Sequence, residues 1–201
     1  MDKRNATLVI LAAGLGSRFG GLKQIAGVGP QGEKIIEYTI HDALASGFTQ
    51  VVCVIRQSIE EDFRRSILQN LPAHVPVSLA FQEMEMLPEG ITLDTQHRIK
   101  PWGTAHALWC ARQVAPQGPF AVVNADDFYG RGAFRALARF LLEAPEAKGR
   151  LGMVGYPLAK TLSKGGPVSR GVCSVSERGE LEAIVEHTKI ERQGEAIISY
   201  G

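Results

Sequence analysis

Three short stretches of the chain are apolar without interruption. Leu8-Val9-Ile10-Leu11-Ala12-Ala13, Val51-Val52-Cys53-Val54-Ile55 and Phe120-Ala121-Val122-Val123 show no polar alternation. That texture predicts strands of a parallel sheet, covered on both faces. A fourth strand is expected from Val77 to Phe81, ending at Gln82. The segments between them change period. Ile35, Ile36, Thr39, Ile40, Ala43 and Leu44 fall on one helical face that ends near Gly47. Ser58, with Glu61 three residues on, predicts the start of a second helix. The pairs Glu60–Arg64 and Glu61–Arg65 support it, acid first at i,i+4. Further helices are expected from Thr104 to Val114 and from Gly132 to Glu143. Strand and helix in alternation predict an α/β fold: three layers, α/β/α, around a mostly parallel, right-handed sheet.

The rhythm breaks after Arg150. Leu151 to Tyr156, Gly171 to Ser176 and Leu181 to Val185 read as shorter strands, the last two joined by a turn at Arg178-Gly179. A strand-like run, Ala196 to Ser199, lies near the end. This C-terminal quarter predicts a small antiparallel flap. Glu83 to Lys100 has no period and predicts a long surface loop, a common place for function.

Composition narrows the classes. The chain has 201 residues, 45% hydrophobic and 21% charged, with 22 basic residues against 21 acidic. A net charge of +1 gives no global attraction to nucleic acid or to a membrane surface. Three scattered cysteines form neither a disulfide framework nor a paired zinc motif, so a reducing, cytoplasmic setting is expected. The apolar run before Gly14 is too short to span a bilayer and lacks a cleavage pattern. Oligomeric state is not encoded, and a homo-oligomer is compatible with the sequence.

The chemistry concentrates after the first strand. Gly14, Gly16, Gly20 and Gly21, four glycines in eight positions, allow a sharp turn that exposes backbone N–H groups to an anion. Arg18 and Lys23 add charge beside those donors, which points to phosphate. Leu22 stands where a P-loop needs its lysine, and Phe19 stands where a dinucleotide fingerprint needs a small residue. Asp126 and Asp127 follow another apolar strand. An unpaired carboxylate at such a strand end is costly unless a cation offsets it, and Mg²⁺ takes one or two carboxylates plus phosphate oxygens. Either aspartate could instead cap the next helix or close a turn.

The stretch Leu11-Ala-Ala-Gly-Leu-Gly-Ser-Arg-Phe-Gly-Gly-Leu-Lys-Gln24 resembles the L-A-A-G-x-G-[ST]-R…K signature of the sugar-phosphate nucleotidyltransferase family. The resemblance implies a Rossmann-like twisted sheet and a nucleoside triphosphate held by Leu11, Ala12, Ala13, Gly14, Gly16 and Ser17. It implies Arg18 and Lys23 as catalytic cations and Asp126 as the ligand of a Mg²⁺. Pro101-Trp-Gly-Thr-Ala-His-Ala-Leu108 resembles the family's L-G-T-[AG]-x-A loop, which places Gly103 and Thr104 near the base; Thr104 can also cap the helix that follows it. Gln82 matches the base-reading glutamine, and His106 reads as packing. Ser169 to Val175 and Leu181 to His187 resemble the acceptor segment, which implies sugar contacts from Gly171 and Glu186, with His187 or Lys189 near the acceptor phosphate.

The implied reaction is attack of a phosphorylated acceptor, a sugar-1-phosphate by the resemblance, on the α-phosphate of a nucleoside triphosphate, with release of pyrophosphate. No Asp follows Asp127, where the family supplies a second metal ligand. A single catalytic domain is therefore expected over 1–201, incomplete at its C-terminus, with a nucleotide half at 1–150 and acceptor strands at 151–201. Two other readings stay open: a binding module that has lost catalysis, and a dinucleotide-dependent oxidoreductase.

Overall fold

A computed structural model describes residues 5–14, 27–92, 102–143 and 149–200. The described chain divides into two compact units, Met1–Gly152 and Met153–Gly201.

The first unit is built on four parallel strands: β1 (Thr7–Leu11), β2 (Gln50–Ile55), β3 (Val77–Phe81) and β4 (Phe120–Asn124). Their spatial order is β3-β2-β1-β4. Helices α1 (Ile35–Leu44), α2 (Glu60–Ser66), α3 (Thr104–Ala111) and α4 (Arg131–Glu143) connect and cover them. The unbroken apolar texture of the strands has a simple cause. Leu8, Ile10 and Ala12 join Val51, Cys53 and Ile55 in a core under α1, α2 and α4, with Phe63 and Phe134 at its centre. The intervening Val9, Val52 and Val54 face the other way, against Ala107 and Ala111 of α3. Period-two alternation thus buries both faces.

The same order explains why α3 stands alone on its face. From β1 the chain steps outward to β2 and β3, then returns past β1 to β4. Crossovers keep one hand, so a reversal of direction moves the connecting helix to the opposite layer. The reversal point lies between β1 and β4.

Local signals differ in places from the sequence expectation. Ser58 does not cap a helix; a 3₁₀ turn, Gln57–Ile59, precedes α2. The Glu60–Arg64 and Glu61–Arg65 pairs do form, at 2.8 and 3.8 Å. Gly103 is the N-cap of α3, so Thr104 is its first helical residue and caps nothing. Helix α1 starts without a Ser, Thr, Asp or Asn cap: the Lys34 N–H donates instead to the Glu37 carboxylate at 2.8 Å. Leu151 to Tyr156 pairs with no strand among the described residues, and Leu151 is 91% exposed. Its apolar texture alone cannot make a strand without a ladder partner.

The second unit, taken by itself, is an antiparallel sheet of β5 (Val168–Val175), β6 (Leu181–Gln193) and β7 (Ala196–Ser199). Gly179 takes φ +77° in the turn between β5 and β6, as the Arg178-Gly179 signal predicts. Strand β6 runs well beyond Val185, through a bulge where Lys189 adopts φ +49°. Among the described residues no helix is long and apolar enough to cross a membrane.

Candidate active site

The carboxyl ends of β1 to β4 form one edge, where open α/β sheets place their ligands. Hydrogen bonds carry the ladder just past each strand and fix what emerges there. The Ala12 N–H donates to the Val54 carbonyl at 2.8 Å, the Gln82 N–H to the Ile55 carbonyl at 2.8 Å, and the Ala125 N–H to the Leu11 carbonyl at 3.1 Å. Leu11 lies opposite Asn124 in the register. The bend at Ala13-Gly14 and the carboxylate of Asp126 therefore leave the sheet from adjacent strands at the reversal point. Among the described residues nothing lies within 4 Å of where a side chain would stand at Gly14 or Gly103, which leaves either backbone open to close approach from those residues' side. Gly16, Ser17, Arg18 and Lys23 lie outside the described residues.

The structure separates the two aspartates. Asp127 is committed to a turn: its Oδ2 accepts the Asn124 side-chain amide at 3.0 Å and the Tyr129 hydroxyl at 3.3 Å. That hydroxyl in turn accepts the Asn124 N–H at 2.9 Å. Tyr129 packs its ring edge-on to Phe134, which fixes the turn to the core. Asp126 is exposed and makes no hydrogen bond or ion pair among the described residues. A carboxylate without a bond among the described residues, beside the turn at Ala13-Gly14, could hold Mg²⁺, a hard cation content with a single protein carboxylate when other oxygens complete its shell.

At the other flank, beyond β2, Gln82 reaches α3. Its Nε2 donates to the carbonyls of Trp102 and Gly103 at 3.0 and 3.2 Å and lies 3.3 Å from His106 Nδ1. The Gly103 carbonyl also accepts the Ala107 N–H at 3.2 Å. The Trp102 indole N–H donates to the Met84 carbonyl at 2.9 Å. The structure thus brings Gln82, Gly103 and Thr104 together. It also shows His106 hydrogen-bonded, where the sequence favoured packing over chemistry. The missed signal was position: His106 is in the first turn of α3, three residues after Gly103.

Neither buried cysteine, Cys53 or Cys110, is poised as a nucleophile. Burial pushes the Cys53 thiol up to about 12. Cys110 is also raised, first by burial and then by the nearby Glu83 charge. Among the described residues no group of three or more His, Cys, Asp or Glu side chains stands together as a metal cage.

In the second unit, Gly171 and Glu186 lie directly opposite each other across β5 and β6. Directly opposed residues share a sheet face, so Gly171 and Glu186 lie on the same side of this sheet. A methyl group at Gly171 would come within 3.0 Å of Ile184 Cγ2. His187 opposes Arg170, and its Nδ1 lies 3.4 Å from Ser199 Oγ.

Comparison with known proteins identifies the family. A family model described as nucleotidyl transferase matches residues 7–195. A UTP–glucose-1-phosphate uridylyltransferase of Klebsiella pneumoniae is 27% identical over 161 residues, 76% of this chain and 53% of that protein. One from Bacillus subtilis is 29% identical over 138 residues, 62% of this chain and 45% of its own length. The chain spans about half the length of these curated relatives. A solved structure of UDP-glucose pyrophosphorylase complexed with UDP-glucose has a TM-score of 0.52 at 18% identity, over 98% of this chain and 74% of that one. It is a likeness of fold.

Proposed function

Because the chain belongs to the nucleotidyl transferase family, we propose that it transfers a nucleoside monophosphate from a nucleoside triphosphate to a sugar-1-phosphate, with release of pyrophosphate. The observation that carries this reading is the bond from Ala125 to Leu11, which sets the Asp126 carboxylate and the start of the glycine-rich bend side by side. A triphosphate seated over Leu11 to Gly14, Gly16 and Ser17 would meet both. Its base would lie toward Gln82, Gly103 and Thr104. The relatives from Klebsiella and Bacillus are named for UTP and glucose-1-phosphate, which makes these the first substrates to try.

Transfer of this kind needs positioning and charge stabilisation rather than a protein nucleophile. Arg18 would hold the phosphates that leave. Lys23 would neutralise charge between the acceptor phosphate and the α-phosphate. Asp126 would hold a Mg²⁺, which supplies further positive charge to the phosphate oxygens. Gly171 and Glu186 would contact the acceptor sugar. Glu186, exposed and directly opposite Gly171 in the register, supports that assignment, since a carboxylate can accept hydrogen bonds from sugar hydroxyls.

Pyrophosphate release from UTP and glucose-1-phosphate with Mg²⁺ tests the reading. Lys23→Ala and Asp126→Ala should each lower turnover by about 10²–10³-fold, the loss found for single preorganised charge stabilisers. Their thermal unfolding should match the parent. Near-parental turnover in either variant would overturn the assignment. Tight triphosphate binding with no turnover in the parent would instead favour a binding module. Binding of NAD(H) in preference to a triphosphate would favour the oxidoreductase.

A further inference from the structure

Asp126 is held from both sides, although its own side chain makes no bond among the described residues. On one side stands Ala125, 5% exposed, whose N–H donates to the Leu11 carbonyl at 3.1 Å. N–H directions alternate along a strand, so the Asn124 N–H points to the other edge of β4. Among the described residues no strand pairs with that edge. The Tyr129 hydroxyl accepts this N–H at 2.9 Å from five residues down the chain. Its own proton is then left for Asp127 Oδ2 at 3.3 Å, and the same oxygen accepts the Asn124 side-chain amide at 3.0 Å. A backbone N–H, a phenol and a carboxylate thus form one directed chain around Asp126, each bond polarising the next. The far end of the loop is moored in the core. The Tyr129 ring meets Phe134 edge-on at 6.1 Å, and Phe134 is 1% exposed. Gly130, at φ +75°, then lets the chain turn into α4.

We propose that Tyr129, acting through Asp127 and Asn124, is a positioning residue that sets the direction of the Asp126 carboxylate, and that Asp127 belongs to this lock rather than to the metal. Mg²⁺ demands near-octahedral geometry, so a single protein carboxylate serves it best when its direction is fixed beforehand. Without the hydroxyl, the loop after Ala125 could rotate. Asp126 would then be spread over several directions, and Asp127 would compete with it for the cation. With Oδ2 occupied by two donors, Asp127 is held back and Asp126 is presented. This inference rests on the Asp126 assignment given under the proposed function. It adds which neighbours aim that carboxylate, and it gives Asp127 a part that its adjacency to Asp126 does not suggest.

The test measures UTP binding to the full chain in a calorimeter, with Mg²⁺ and again with EDTA, beside pyrophosphate release at rising Mg²⁺. The affinity gained from the metal reports the carboxylate, and the affinity in EDTA reports the rest of the site. Tyr129→Phe keeps the ring against Phe134 and removes only the hydroxyl. It should raise the Mg²⁺ concentration for half-maximal release by about tenfold or more, the usual cost of losing a group that orients a metal ligand. The metal-dependent gain in UTP affinity should shrink by a similar factor, with the EDTA affinity unchanged and the rate recovered at saturating Mg²⁺. Asp127→Ala should behave likewise. Asp127→Asn keeps an oxygen for both donors and should retain the parental Mg²⁺ dependence. A parental Mg²⁺ dependence in Tyr129→Phe would overturn the inference. So would equal losses in Asp127→Asn and Asp127→Ala, the mark of a metal ligand. An EDTA affinity that falls as far as the Mg²⁺ affinity would also overturn it, as the mark of a role in folding alone. If Tyr129→Phe does not fold, the two Asp127 variants decide the matter. A parent whose UTP affinity ignores Mg²⁺ would remove the Asp126 assignment and the lock with it. A parent that gains affinity from Mg²⁺ but releases no pyrophosphate would defeat the proposed reaction and leave the lock standing.

Discussion

Neighbouring residues of one type can have opposite fates, and partners decide which. Asp126 and Asp127 share a strand end, yet Asp127 is spent on Asn124 and Tyr129 while Asp126 faces outward uncommitted. The sequence left both open as cap, turn or ligand, because which carboxylate is bonded depends on the rotation of the turn. The turn that ends β1 at Ala13-Gly14 was legible, since glycine spacing and strand texture are local. The hydrogen bonds that hold Gln82 were not, because they join residues twenty and more positions apart. The cysteines show the same dependence on surroundings. Cys53 is fully buried, and Cys173 is only partly covered. A thiol reagent should therefore label Cys173 quickly in the folded protein and reach Cys53 and Cys110 only on unfolding. The raised Cys53 pKa has a sign that can be checked. The folded thiol keeps its proton to about pH 12, whereas the unfolded one releases it near its ordinary value of 9.0. The folded state thus loses relative stability as pH rises from 9 toward 12. The melting temperature of the parent should fall more steeply over that window than that of Cys53→Ala. Parallel slopes would show that burial does not hold the proton.

Elements were legible where a local pattern had a single solution. Buried parallel strands leave no polar position to confuse them, and Arg178-Gly179 could only be a turn once Gly179 supplied its positive φ. A boundary failed at α2, where a 3₁₀ turn stands in place of a Ser58 cap, whereas α1 begins at Ile35 as its pattern predicts. Lys34 is a poor cap residue, but Glu37 closes the first turn of α1 from within. The same carboxylate accepts the Asn70 side-chain amide at 2.8 Å, which ties α1 to the 3₁₀ turn after α2. One side chain thus secures a helix start and a contact between elements. Glu37→Ala should cost about 1–2 kcal/mol, the usual range for losing a helix cap, read as a lower urea midpoint with an unchanged m-value. Glu37→Gln retains the acceptor for Lys34 and should cost less. If alanine were tolerated without loss, α1 would be held by burial of Ile36, Ile40 and Ala43 alone.

At the scale of the whole sheet, strand order dictates how a nucleotide could lie. Alternating strand and helix patterns made the layered fold readable, but periodicity carries no information about which strand returns to which. Only the order β3-β2-β1-β4 puts Gln82 and Asp126 on opposite flanks of the bend after β1. Three strand spacings of about 4.8 Å separate those flanks by roughly 14 Å, a distance a nucleoside triphosphate can span with its base at one end and its phosphates at the other. Every described group assigned to the nucleotide therefore belongs to one edge of the sheet, the carboxyl edge. Amide hydrogen exchange can test that arrangement without any turnover. With UTP and Mg²⁺, protection should rise at Ala13 and Gly14, at Gln82 to Met86 and at Ala125 to Asp127. It should not change at Thr7, Gln50 or Phe120, which begin their strands at the opposite edge. Glucose-1-phosphate added second should extend protection to the backbone around Gly171 and Glu186. Protection confined to the Asp126 flank would mean that the phosphates dock and the base does not reach Gln82. Protection at the opposite edge would place the nucleotide elsewhere and remove the physical basis for every assignment made from the strand ends.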